Sequence, residues 1–280
     1  MDFLHETFLQ NALLASALSG ALCAFLGVYV HLKRIVFIGI ALSEVAAFGV
    51  AAGLYLGLRP EATASLLTVL VALLFWTPGR SVTLDREAVL GLVYSVAAAG
   101  AIILLAANPM AEAHGVDLVS GNLLYATRDD ILLLSGLAAA TFTLHLVFFP
   151  NLLFVSFDPH TARTMGLAER AYDFLIYLSL GLCIAVSMKT TGILFVFATM
   201  VIPPMIGLVL LRRVWAVYLL AVVVAVGASI LGLWGSFHWD LPTAPTIVCL
   251  EGLVFGAVML LKILRMHASR CRRSAWGRGQ

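Results

Sequence analysis

The sequence predicts an all-α, polytopic transmembrane helical bundle of eight or nine spans, with the N-terminus outside and the C-terminus cytoplasmic. Three observations predict it. Of the 280 residues, 62% are hydrophobic and only 11% charged, against roughly 25% charged in soluble domains. Apolar segments of about 20 residues, the length a helix needs to cross the hydrocarbon core, recur along the chain and leave no room for a sizeable soluble domain. The basic residues, finally, fall strongly on one side of these segments.

Hydropathy and the breakers between apolar runs place spans near 11–32, 35–57, 62–77, 88–107, 130–150, 172–190, 192–211, 214–236 and 246–264. These make nine, or eight if a short one is re-entrant. The N-terminus MDFLHETFLQ is acidic where a signal peptide would be basic, so the first span is expected to be retained. With the N-terminus outside, the inner segments hold Lys33, Arg34, Arg80, Arg86, Arg163, Arg170, Arg212, Arg213 and the tail residues Lys262, Arg265, Arg270, Arg272, Arg273 and Arg278. That is 14 of the 17 basic residues, leaving Arg59, Arg128 and Lys189 outside. Cytoplasmic loops carry the Lys/Arg excess, and the opposite orientation would invert it. Asp2, Glu6, Glu61, Glu112, Asp117, Asp129, Asp130 and Asp240 fall on the outer side. They could concentrate cations, or simply supply the charge that soluble loops need. The basic tail at 265–280 fits an orientation anchor or contact with anionic lipid better than nucleic-acid binding.

Within the second span, Glu44 is the one charge in the 23 residues from Ile35 to Gly57. An acid at the centre of a membrane helix costs roughly 2.5 to 3.5 kcal/mol on insertion scales, so it is expected to face a partner, a cavity or a transported ion. Glu251 is a second embedded carboxylate, about two turns inside the last span. Gly39, Ser43, Ala47 and Ala51 recur every four residues beside Glu44, and Gly252 and Gly256 flank Glu251. Small residues at this spacing let another helix pack closely, so both acids are expected near helix seams, where either could equally hydrogen-bond a neighbour.

Three polar interruptions carry further signals. In 151–173, Asp158 can cap a helix that Pro159 starts, and Gly166 can end it after Met165, making a short capped helix suited to docking a soluble partner or to ordering the loop. In 188–207, Lys189 stands at the outer end of one span, and Pro203 and Pro204 interrupt the next and free backbone carbonyls. In 237–252, His238 and Asp240 stand at the outer mouth before Pro242 and Pro245, and histidine with carboxylates suits first-row divalent metals. The four cysteines, Cys23, Cys183, Cys249 and Cys271, form no CxxC pair and read as core residues without a metal cluster or disulfide framework. Lys33, Lys189 and Lys262 follow Leu, Met and Leu, so no P-loop can form, and neither HExxH nor GxSxG occurs. An enzyme is therefore not expected.

In this order, the segments resemble the membrane permease subunit of the metal-type (zinc, manganese, iron) ABC importers. The resemblance runs over nearly the whole chain: KRIVFIGIALSEVAAFGVA, AVLGLVYSVAAAGAIIL, GVDLVSGNLLYATRDDI, FDPHTARTMGL, MKTTGILFVFATMVIPP and WDLPTAPTIV. It implies a transmembrane permease domain over 1–264 with a coupling segment at about 156–170, and a basic cytoplasmic tail at 265–280. It also implies two copies of the permease in the bacterial inner membrane, a separate ABC ATPase subunit and an extracytoplasmic metal-binding protein. The cargo would be a divalent zinc, manganese or iron ion, with no permanently bound cofactor. By the same resemblance Asp158, Pro159, Ala162 and Gly166 would couple to the ATPase, while Glu44, Glu251, His238 and Asp240 would handle the metal. The family's second span commonly reads Gly-Asp-x-Leu-x-His; here Ile40 stands for the Asp and Glu44 for the His, and Ala244 replaces a usual Gly at the mouth. A metal chelate or small organic solute is the alternative cargo, and a proton-coupled secondary transporter using Glu44 and Glu251 the alternative machine.

Overall fold

The computed structural model describes residues 7–76, 86–107, 121, 123 and 126–276. Asp2, Glu6, Arg80, Glu112, Asp117 and Arg278 of the expected charge pattern, and most of the outer stretch around Gly115–Tyr125, lie outside the described residues. The helices are α1 (Thr7–Leu32), α2 (Ile38–Leu56), α3 (Pro60–Trp76), α4 (Arg86–Ala106), α5 (Arg128–Val147), α6 (Phe149–Phe157), α7 (Pro159–Thr164), α8 (Glu169–Leu210), α9 (Val214–Trp239) and α10 (Thr243–Trp276). Among the described residues there is no strand, and seven helices are long and apolar enough to cross a membrane by length and composition. Pro60–Trp76 is a shorter apolar helix. The expected spans 172–190 and 192–211 run together as α8, and α10 continues past residue 264 through Trp276.

Contacts along the helices fix their relative directions. Lys33 Nζ meets Asp173 Oδ1 at 2.6 Å and Cys23 Sγ meets Cys183 Sγ at 3.7 Å, so α1 runs antiparallel to the first part of α8. Gly20 lies against Phe195, and Gly27 against Met200 and Pro204, so the later part of α8 runs parallel to α1. The chain therefore doubles back within α8. It does so at Gly192, whose φ of 80° and ψ of 168° are the non-helical dihedrals inside this helix. That backbone region is open essentially to glycine alone. The backbone stays helical through Pro203 and Pro204, so the interruption expected at these prolines lies at Gly192 instead.

Both ends of this hairpin are tied down. Beside the turn, Lys189 Nζ reaches Asp130 Oδ1 at 3.0 Å and Glu61 Oε1 at 3.5 Å, joining α8 to α5 and α3. Asp130 is itself held in a capping box with Thr127 at the start of α5. Gly121, at φ 71°, packs its backbone onto Thr191 and Gly192 so closely that a Cβ would overlap the Thr191 carbonyl. At the opposite end, Trp76 Nε1 donates to the Arg170 carbonyl at 2.8 Å and Asn151 Nδ2 to the Tyr172 hydroxyl at 2.7 Å.

The core is built around α1: 72% of its most apolar window is buried, against 11% for α10, which lies at the edge. Between helices in lipid there is little hydrophobic gain, so close backbone approach supplies the packing. Gly27 illustrates it. Pro203 and Pro204 have no N–H to give the carbonyls of Thr199 and Met200, and Gly27 sits against the freed Met200 oxygen where any side chain would collide. Further along α1, Phe25 and Tyr29 enter an aromatic cluster with Phe142, His145 and Tyr218, ring centroids 4.9–5.9 Å apart. Phe149 stacks on Trp215 at 3.8 Å at its rim.

Candidate functional site

Glu44 is half-buried on α2, and no hydrogen bond or ion pair engages it among the described residues. The small-residue stripe beside it is a true seam: Gly39, Ser43, Ala47 and Ala51 are all buried, and Gly39 lies against Met200 and Phe197 of α8. One turn earlier, Ile40 lines a cavity of about 460 Å³ with Phe37, Glu87, Leu90, Gly91 and Tyr94, between α2 and α4. Glu87 is the acid on that wall, and nothing in the sequence pattern had paired it with Ile40.

Glu251 is wholly buried although its helix is mostly bare. Its Oε1 accepts from Thr199 Oγ1 at 3.0 Å, and its Oε2 has no partner among the described residues. Thr199 is one of the two residues whose backbone carbonyls the prolines release, so the carboxylate is fastened to the second arm of α8 at that turn. Among the described residues Gly252 and Gly256 make no seam; both are exposed with open space beside them. The expectation of a packed helix next to Glu251 on that side is thus corrected for the single protomer.

His238 and Asp240 sit together at the end of α9 but apart from the embedded acids. The His238 ring stacks on Trp234 at 5.5 Å, and Asp240 ends the helix in the left-handed region at φ 53°. Among the described residues no three His, Cys, Asp or Glu side chains gather as a metal-holding group, so Glu44, Glu251, His238 and Asp240 do not converge in one protomer.

The segment at 158–166 is built as its residues imply. Asp158 caps α7, accepting from Thr161 N at 3.0 Å and Thr161 Oγ1 at 2.6 Å. The Thr161 hydroxyl first, and its N–H second, hold the Asp158 carboxyl below the usual carboxylate range. Gly166, at φ 80°, closes the other end, with Leu167 N donating to the Ala162 carbonyl at 3.1 Å. Ala162 is buried while Phe157 and Met165 stand exposed on either side. Arg163 pairs with Glu169 at 3.2 Å, linking this short helix to the start of α8.

Sequence reasoning did not bring Cys23 and Cys183 together. They lie 160 residues apart, and no local spacing marks them; the antiparallel register of α1 against α8 was the missing signal.

The description "ABC 3 transport family" matches residues 5–262 of this chain. The chain belongs to the ABC 3 transport family. As an ABC 3 protein it is an integral, multi-pass membrane protein, of the inner membrane in bacteria. It is 30% identical over 252 residues to the chelated iron transport system membrane protein YfeC of Yersinia pestis, covering 90% of this chain and 85% of that one. It is 26% identical over 258 residues to the manganese transport system membrane protein MntC of Halalkalibacterium halodurans, covering 91% and 87%. Among solved structures, PsaBC from Streptococcus pneumoniae in complex with Fab superposes with a TM-score of 0.81 at 25% identity, over 92% of each chain.

Proposed function

We propose that this chain is the membrane permease of an ABC importer for a divalent transition-metal ion. Iron and manganese stand ahead of zinc, because those are the ions in the names of its relatives. The observation that carries the importer reading is the segment from Asp158 to Gly166. It is capped at both ends, tied to α8 through Arg163 and Glu169, and presents Phe157 and Met165 outward. A chain without a P-loop needs ATP hydrolysis from elsewhere, and a short helix capped at both ends with exposed apolar side chains beside it is a suitable seat for a separate ATPase subunit.

In this scheme two copies of the permease enclose the path and an extracytoplasmic binding protein delivers the ion. Two features support a path formed between protomers: the candidate acids do not converge within one chain, and α10 leaves Gly252 and Gly256 bare. Glu44, without a partner among the described residues and at the edge of the α2–α8 seam, serves as the ion-handling carboxylate. His238 and Asp240 receive the ion at the outer end. A metal chelate as cargo is the second reading, favoured by the chelated-iron name of one relative.

The test is reconstitution of the permease with its ATPase and binding protein in proteoliposomes, supplied with labelled manganese or iron, free or chelated. ATP-dependent uptake of the free ion is expected; uptake of the chelate alone selects the second reading. Asp158→Ala and Gly166→Val should lose ATPase co-purification and stimulation, and survival of both would remove the docking assignment. Because the folded Asp158 carboxyl is lowered, the cap is fully formed above the ordinary value of about 4. It weakens only as pH falls through the lowered one, so docking should be insensitive to pH in the neutral range.

A further inference from the structure

From Phe37 to Phe48 every residue is buried except Phe37, Ile40, Glu44 and Phe48. Steps of three, four and four put these side chains on one face of α2, and contacts at both ends of the stripe turn that face to α4. Toward the outer end, the Phe48 ring lies 2.7 Å from where a Cβ on Gly100 would stand, so the two helices close on each other there. Toward the other end they part around the cavity of about 460 Å³, where Glu87 is the charged residue among apolar walls and Tyr94. Glu44 lies between, one turn beyond Ile40. The Lys33–Asp173 pair ties the open end to the start of α8, beside the Asp158–Gly166 segment. Like Glu44, Glu87 has no hydrogen bond or ion pair among the described residues.

We propose that Glu87 is the carboxylate that takes the divalent ion from Glu44 and releases it at the cytoplasmic end, the α2–α4 cavity being the inner part of the path. This rests on the importer reading above. The cavity is wide enough for the ion to keep its water: six waters at about 30 Å³ each fill about 180 Å³. Its apolar wall at Ile40, Leu90 and Gly91 offers the ion no ligand between the two acids. A path must bind well enough to admit the ion and weakly enough to let it go. Two separated single carboxylates with an apolar stretch between them meet both demands, where a closed ligand cage would hold the ion. In this conformation the path is shut above Glu44 by Phe48 on Gly100 and open below it.

The test uses the permease with its ATPase and binding protein in proteoliposomes, supplied with labelled manganese. Glu87→Gln should lower the ions taken up per ATP hydrolysed by about tenfold, and Glu87→Asp should keep most of the uptake. Uptake by the unaltered complex with an equal ratio in Glu87→Gln overturns the role of Glu87 and leaves the importer reading standing. No uptake by the unaltered complex overturns both. A second arm places Gly91→Cys in a Cys249→Ser, Cys271→Ser background, the other two cysteines being wholly buried. A membrane-impermeant cationic thiol reagent added on the cytoplasmic side should label this cysteine, and manganese chloride should slow the labelling. The protection should vanish when Glu87→Gln is added, which a merely structural role for Glu87 would not cause. Labelling by a membrane-permeant reagent alone would mark the cavity as lipid-filled and overturn the proposal, as would protection that survives Glu87→Gln.

Discussion

Glu44 and Glu251 are each a lone carboxylate in an apolar helix, yet the fold treats them oppositely. Glu251 lies on the most exposed long helix and still turns fully inward, where Thr199 binds one of its oxygens. Glu44 lies on a well-packed helix and stays half-open, with no partner among the described residues. A group fastened by its neighbours contributes to how the helices are arranged; a group left unfastened remains available to something that passes. The contrast supports the proposal that Glu44 handles the ion, and it is one that hydropathy could not draw.

The strongest way to break the Glu251 side is through its support. Gly27→Val would drive a side chain into the Met200 carbonyl, displacing the turn that carries Thr199. Loss of folded, monodisperse permease is expected by size-exclusion chromatography, since forced overpacking costs about 1 to 3 kcal/mol or more. Thr199→Val is gentler. It leaves both Glu251 oxygens unpartnered, at about 1 to 3 kcal/mol, and should lower the thermal midpoint measured in detergent. Glu44→Gln should do the reverse, keeping the midpoint and the bound ATPase but reducing metal uptake by about tenfold, in line with the loss of a metal-handling group. Unchanged uptake would remove Glu44 from the path and erase the contrast. The smallest effect is expected at the outer cluster. Lys189→Met removes two partly exposed ion pairs, worth about 0.2 to 1 kcal/mol each and weakened by salt. It should leave both acids' roles intact.

Much of this was legible in the sequence, for identifiable reasons. The apolar segments could be counted because a membrane helix must satisfy its own backbone, which fixes its length. The capped helix at Asp158–Gly166 could be placed because Asp, Pro and Gly each act on the residues next to them. What depends on register between distant helices was not legible. The Cys23–Cys183 meeting, the anchoring of Glu251 by Thr199 and the placing of Ile40 beside Glu87 are pairings across the bundle, and composition carries no trace of them. The prolines misled in an instructive way: Pro203 and Pro204 stay helical while the reversal uses Gly192, because reversing the chain needs a dihedral that proline cannot adopt.

The turn at Gly192 also bears on how relatives of this chain can differ. With Gly121 pressed against it and Lys189 bound beside it, the turn has no slack to take up an added or lost residue. One residue inserted into either arm would rotate the rest of that arm by about 100°, swinging Cys183 off Cys23 or Thr199 off Glu251. Insertions and deletions among homologues should therefore be purged from 173–209 and accumulate in the connections outside it, so that this hairpin acts as a ruler of constant length through the lineage.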